Sequence, residues 1–445
     1  MRGRRGTARR TTARSRYGAV GRLGLAAALG LGTVLTGQPA QAAGQDIALT
    51  YAFAEDARRI DGARSTADAV ELEPGRTYRS TLPPDTKVFF RLELDDTATA
   101  YASATAVPPS GTGVSVADGV KVTVEDADGR SCDSDTATFG APGSPHPVAA
   151  WAMREISPRR SLCDEAGTYY VTVERAAPDA RGASPDPWEL ELGTVSEPGT
   201  QTPAGTAAPE AWDSATPAPV QGTAQRRPGG AGFARATPLG EGVWRDDIRP
   251  GQTLFYQVPV DWGRQLHATA ELGSSGTDPS GYLASALTLD LYNPVRGEVD
   301  DVSLGYDGGQ KSKALKPLPP VTYENRYASG QQVSAVRFAG AYYLVAHLSP
   351  KVAEDFGDGP VPLTLRVRLG GAPQSGPDYA GGTVPADVFT VGGGDGLTSG
   401  GGGEAGDETL YRLLAAGGIG TGSALVVGLG VWTVVARRRG AGLTG

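Results

Sequence analysis

Apolar and polar residues alternate with period two along most of the chain between residues 46 and 370. Phe90, Leu92 and Leu94 fall on one side and Arg91 and Glu93 on the other. Trp188, Leu190 and Leu192 oppose Glu189 and Glu191, and further on Tyr256, Val258 and Val260 oppose Gln257 and Pro259. A two-residue period puts one side of an extended segment into a core and the other toward solvent, the pattern of a half-buried strand. Turns containing Gly, Pro and Asp separate these segments, and no helical periodicity of comparable strength appears outside the chain ends. The expected fold is all-β, with at least five strands in each of two tandem antiparallel sandwiches.

The two sandwiches follow from an internal repeat. An ungapped offset of 166 residues lays Tyr78 on Trp244, Leu82 on Ile248, Pro84 on Pro250, Phe89-Phe90 on Phe255-Tyr256 and Asp95 on Asp261. With small gaps, Val120, Val122 and Val124 match Leu287, Leu289 and Leu291; Ala166–Val171 match Ala339–Leu344; and Pro187–Leu192 match Pro362–Val367. The implied organisation is a first module over 46–193 and a second over 237–370. A Pro/Thr/Gly-rich linker over 194–236 separates them, and a Gly-rich linker over 371–408 follows the second.

Both ends of the chain read as membrane-directed. Residues 1–22 carry eight arginines and no acid, then come the apolar run Leu23–Thr36 and the small residues Ala40 and Ala42. This is the three-part pattern of a secretory signal peptide over 1–42, too short to span, since fourteen helical residues rise only about 21 Å. Near the other end Leu413–Ala436 is an uncharged stretch of 24 residues, and Arg437-Arg438-Arg439 follows it. The expectation is one transmembrane helix over 413–436 and a cytoplasmic tail over 437–445. The N-terminus then lies outside after cleavage, giving a single-pass protein of the cell membrane.

Composition sharpens this picture by exclusion. All 49 acids lie between those ends and twelve of the 41 bases do not, which leaves the intervening chain near −20. Such a field repels nucleic acid and anionic lipid surfaces. With three histidines and two cysteines in 445 residues, neither a multi-histidine metal cage nor a disulfide-dense scaffold can be assembled.

The order of a Pro-Gly or Pro-Asp turn, an aromatic strand, an alternating strand, an Ala-Gly-x-Tyr-Tyr strand (Ala166–Tyr170 and Ala339–Tyr343) and a final alternating strand resembles the bacterial pre-peptidase C-terminal domain. That is a β-sandwich appended to secreted enzymes and surface proteins. The second copy, with Leu318–Arg326 ahead of Ala339-Gly340, also looks like the sandwich part of membrane-anchored actinobacterial surface proteins that carry a von Willebrand A domain. The Asp-x-Ser-x-Ser metal motif of that domain is absent here. The resemblance implies a fold and a location, not an activity.

Candidate chemistry is sparse. The chain contains no Gly-x-Ser-x-Gly elbow, His-Glu-x-x-His pair, Walker loop or Cys-x-x-Cys. By strand parity His267 and His347 fall on outward faces, as solvated side chains; His146 lies between two prolines in a loop. Asp126, Asp128, Asp133 and Asp135 gather around a turn with enough carboxylates for a weak calcium candidate, although Asp-Gly after a strand is also an ordinary turn. Trp188 and Trp244 occupy core-like positions, which leaves Trp212 and Trp262 as the tryptophans placed for contacts. Cys132 and Cys163 both sit at loop–strand junctions of the first module and are expected to pair outside the reducing cytosol. No catalytic residues, metal or cofactor are assigned. The expected function is non-catalytic: a surface protein that binds or scaffolds a protein or cell-wall partner through its sandwiches. An extracellular hydrolase, or an accessory subunit of one, is the alternative.

Overall fold

A computed structural model describes residues 51–391, apart from 159–160, 203–204, 219 and 276–280. The segments expected to be a signal peptide (1–42), a membrane span (413–436) and a cytoplasmic tail (437–445), and the end of the expected Gly-rich linker, lie outside the described residues. Among the described residues no helix is long and apolar enough to cross a membrane.

The first sandwich contains β1 (Arg58–Arg59), β2 (Val70–Glu71), β3 (Thr77–Leu82), β4 (Val88–Leu94), β5 (Ala98–Val107), β6 (Gly119–Asp126), β7 (Ser131–Thr138), β8 (Val148–Arg154), β9 (Gly167–Arg175) and β10 (Trp188–Pro198). They form two sheets, ordered β1-β3-β10-β5-β8 and β2-β4-β9-β6-β7. The second sandwich repeats the plan with β11 (Gln225–Arg226), β12 (Thr237–Pro238), β13 (Gly242–Ile248), β14 (Thr253–Val260), β15 (Gln265–Leu272), β16 (Leu283–Tyr292), β17 (Glu298–Tyr306), β18 (Lys311–Ala314), β19 (Gly340–Leu348) and β20 (Val361–Gly370). Its sheets are β11-β13-β20-β15-β18 and β12-β14-β19-β16-β17, the same order ten strands later.

The alternating residues form the cores as the period requires. Tyr78, Phe90, Val122, Val171, Trp188 and Leu190 fill the first, and Tyr256, Leu289, Leu344 and Leu365 help fill the second. The repeat also corrects one alignment. Trp188 pairs with Leu82 and Leu192 with Tyr78, whereas Ile248, the counterpart of Leu82, pairs with Val361 and Trp244 with Leu365. Trp188 therefore corresponds to Val361 and not to Leu363. The last strand is displaced by two residues, a slip that leaves every side chain on the same face and so escapes a period-two reading.

The two sandwiches belong to one compact unit. The odd-numbered face of β10, β5 and β8 packs on the face of β14, β19 and β16 that points away from the second core. Tyr101, Trp151 and Met153 join the hydrophobic cluster of the second sandwich, and Ala149 meets Phe255, Tyr292 and Val345. The four sheets thus lie as successive layers, and the faces expected to meet water in the middle meet each other.

Both linkers are structured where they are described. Thr194–Pro198 belong to β10 because the ten-residue β5 offers pairing partners all the way to Ala98↔Pro198. Residues 213–218 and 220 lie on the outer face of the second sandwich, where Gln265, Arg366 and Arg368 donate to the carbonyls of Asp213, Val220 and Ala218. Residues 374–391 run back across both sandwiches: Ser196 and Val384 exchange backbone hydrogen bonds, Ala380 N–H donates to Gly199, and Phe389 is buried on Phe338 with ring centroids 4.5 Å apart. A composition rich in Pro and Gly signals the lack of a private core. It says nothing about backbone groups that find partners on a neighbouring sheet.

Candidate functional site

The junction between the sandwiches concentrates buried polar side chains, among them Glu191, which alternation had assigned to solvent. Glu197 of β10 is 1% exposed and receives hydrogen bonds from Arg326 (2.7 Å and 3.1 Å), from Tyr101 (2.6 Å) and from Tyr379 (2.7 Å). Burial raises its carboxyl, but the Arg326 guanidinium and these donors outweigh that and hold it below the ordinary range. Six residues earlier on the same face, buried Glu191 meets Arg296 at 2.7 Å and accepts from Tyr51 Oη at 3.0 Å. Each pair joins a carboxylate of the first sandwich to an arginine of the second.

At one end of this junction lies a groove of about 590 Å³, within the range of ligand pockets. The first sandwich supplies Tyr51, Phe53, Arg79, Glu189 and the loops 107–112 and 145–147; the second supplies Pro250, Gly251, Thr253, Phe255 and Pro350. Prolines from both sandwiches wall it, so its shape depends little on mobile side chains. At its polar edge Arg79 lies 2.6 Å from Glu189 and 4.1 Å above the Phe53 ring, and Arg59 shares the same carboxylate at 3.8 Å.

Two of the three histidines sit at the floor of the groove, and the placement of His347 corrects the expectation of a solvated side chain. His347 is 0% exposed and His146 8%, with the rings stacked 4.4 Å apart. His347 points outward from its own sandwich, as parity requires, but the first sandwich covers that surface. His146 Nδ1 is 2.8 Å from the Ser144 carbonyl, an acceptor only, so this nitrogen carries the proton. Ser144 Oγ lies 2.8 Å from His347 Nε2, and the opposite nitrogen meets Thr253 Oγ1 at 3.0 Å. This hydroxyl–imidazole pair is closed to solvent, and a hydroxyl stands where a hydrolytic triad has a carboxylate. Burial lowers both imidazoles, His146 to about 4, and His146 lowers His347 further. The third histidine, His267, is half-buried beside Arg368.

The four aspartates of the calcium candidate do not converge. Asp126 and Asp128 are held by Arg130 at 2.9 Å each in the turn after β6. Asp133 and Asp135 lie on β7, where their carboxylates accept the β8 backbone N–H groups of Met153 and Trp151. They bridge the open edges of two sheets, and a strand edge is where such donors go unpaired. Among the described residues no group of three His, Cys, Asp or Glu side chains is arranged to hold a metal. Cys132 and Cys163 are bonded to each other, with Cα atoms 5.8 Å apart. Of the contact tryptophans, Trp262 is buried beneath residues 374–376 and Trp212 is half-buried.

The groove itself had no signal in the sequence beyond scattered Pro-Pro and Pro-His-Pro loops, because its walls come together only when the modules pack. A second polar group also escaped notice. Asp290 and Glu298 lie on β16 and β17 near Asp301 and Asp135, and burial together with these neighbouring carboxylates pushes Glu298 up to about 7 and Asp290 well above its ordinary value.

No family model matches the chain, and no curated protein matches it. Solved structures resemble it only loosely. Tripeptidyl peptidase 2 is 8% identical over 67% of this chain with a TM-score of 0.21, and the chain spans 24% of that protein's length. The tandem CBM22 modules of Paenibacillus barcinonensis Xyn10C are 8% identical over 65% of this chain and 84% of theirs, with a TM-score of 0.17. The CUB1-EGF-CUB2 segment of human MASP-1/3 is 10% identical over 66% of this chain and 99% of its own, with a TM-score of 0.15. The tandem β-sandwich architecture rests on the strands and registers above, and the resemblance to pre-peptidase C-terminal domains rests on the sequence motifs alone.

Proposed function

We propose that this chain is a non-catalytic, single-pass cell-surface protein that holds an extracellular protein or cell-wall partner in the groove between its two sandwiches. Residues 1–42 are its cleaved signal peptide and 413–436 its membrane anchor, with the C-terminus in the cytoplasm. The observation that carries the reading is a groove of about 590 Å³ whose walls come from both sandwiches, joined beneath by buried ion pairs. Rigid walls lower the ordering cost of binding. A negative ectodomain argues against nucleic acid as the partner.

Photo-crosslinking on intact cells tests this. A crosslinker at Ser110, on the groove rim, should capture a surface component that one at Thr136, on the distant β7, does not; equal capture from both positions refutes the groove. Whole-cell protease shaving should release the ectodomain, and N-terminal sequencing should begin near Ala43. The hydrolase alternative has one constellation in its favour, Ser144 beside His347. An activity-based serine probe that labels the wild type and not Ser144→Ala would establish it.

A further inference from the structure

We infer that the groove takes an extended peptide segment, apolar in its middle and carrying a carboxylate that seats against Arg79 and Arg59. The inference rests on the groove being the binding site and adds the chemistry of its occupant.

Three observations carry it. First, the groove has no tryptophan or pair of open aromatic faces to stack on a sugar ring. The Phe53 ring is covered by the Arg79 guanidinium at 4.1 Å, Tyr51 and Phe255 are buried edge-to-face at 5.7 Å, and no tryptophan lines the groove. Glycan stacking needs a flat exposed ring, whereas an extended peptide needs only apolar troughs for alternate side chains. Secondly, the exposed lining is mostly apolar and proline-rich, including Pro109, Pro145, Pro187 and Pro350. Thirdly, the charge is unbalanced at one edge. Two guanidiniums, Arg79 at 2.6 Å and Arg59 at 3.8 Å, share the single carboxylate of Glu189. An otherwise acidic molecule therefore presents a local positive charge beside an apolar trough. A carboxylate, from an acidic side chain or a chain terminus, completes that cluster through charge-assisted hydrogen bonds.

The test is selection of random dodecapeptides displayed on phage against the purified ectodomain, with Ser110→Trp, which narrows the groove from its exposed rim, as the counter-selection. The expected result is a consensus of apolar and proline residues next to Asp, Glu or a free C-terminus. Synthetic peptides of that consensus should bind the wild type, lose roughly tenfold or more with Arg79→Gln, and lose a similar factor when their carboxylate is amidated. Circular dichroism of both variants confirms that they fold. Enrichment that survives Ser110→Trp, or a consensus without a carboxylate, overturns the inference. If soluble peptidoglycan fragments bind in a Ser110-dependent way while no peptide is enriched, the peptide assignment fails and the groove stands. If neither peptides nor fragments depend on Ser110, the groove reading fails as well.

Discussion

Glu197 shows what a buried charge does when its partners come from three parts of one chain. Arg326, Tyr101 and half-buried Tyr379 all donate to it, and Glu197, Arg326 and Tyr101 have no bulk water to fall back on. Removing one member of such a pair strands the other, at a cost of about 3–5 kcal/mol, while replacing both ions by apolar groups is far milder. Glu197→Ala should therefore destabilise by that amount in urea melts, and Arg326→Met on the Glu197→Ala background should recover most of it. Titration at the junction runs in two directions. The folded His146 has a pKa depressed to about 4, so the unfolded chain takes up its proton first, and that stability is lost as pH falls from about 6.5 to about 4. Glu298 is raised to about 7, so its contribution is complete below about 4.5 and is lost as pH rises through 7. Glu298→Gln should raise the unfolding free energy at pH 8 by on the order of 3 kcal/mol and leave it unchanged at pH 4, read from chemical melts at the two pH values. Equal effects at both would show that the carboxyl is not held protonated.

At the level of elements, the period-two pattern was sufficient to place β4, β10 and β14, because one face of each is filled by large apolar side chains whatever covers the other. It was insufficient in two specific ways. A two-residue slip in β20 conserves the pattern, so only its pairing with the neighbouring strands β13 and β15 reveals it. The outward parity of Glu191 and His347 was right, but parity identifies a face and not what lies on it, and Glu197 fell in the stretch read as linker until its pairing with β5 placed it in β10. Local chemistry fared better for the cysteines. Cys132 is the second residue of the edge strand β7, Cys163 precedes β9, and their bond spans a sequence separation of 31. The second sandwich keeps the same ten strands without any cysteine, so the bond staples a long excursion and does not define the fold. Converting both residues to serine should lower the stability of the first sandwich by roughly 3–4 kcal/mol in the chain-entropy account while leaving the far-ultraviolet dichroism of the folded protein unchanged. Loss of the strand signal at low temperature would contradict this.

For the whole molecule, the decisive contacts join residues far apart in sequence. The Glu197–Arg326 and Glu191–Arg296 pairs, the Ser196–Val384 backbone exchange and the edge-to-face contact of Phe389 with Tyr101 each lock the first sandwich to something after residue 290. Two modules on a flexible linker would separate once the linker was cut. Here the loop 205–218 is mostly exposed and should be cleaved readily, yet the halves have no reason to part, because their mutual surface is an apolar cluster crossed by paired charges. A protease site introduced at 206–210 and cut to completion should give two bands under denaturing conditions and a single species of unchanged elution volume in native size exclusion. Phe389→Ala removes a large buried ring from the segment that returns over both sandwiches, a change that costs about 3–5 kcal/mol in a well-packed site. In the nicked protein that loss falls on an association, not on a covalent chain, so the same substitution should release the halves at a denaturant concentration where the nicked wild type stays intact. Separation of the nicked wild type in plain buffer would show that the junction is weak, and a groove built from both sandwiches would then have no fixed walls.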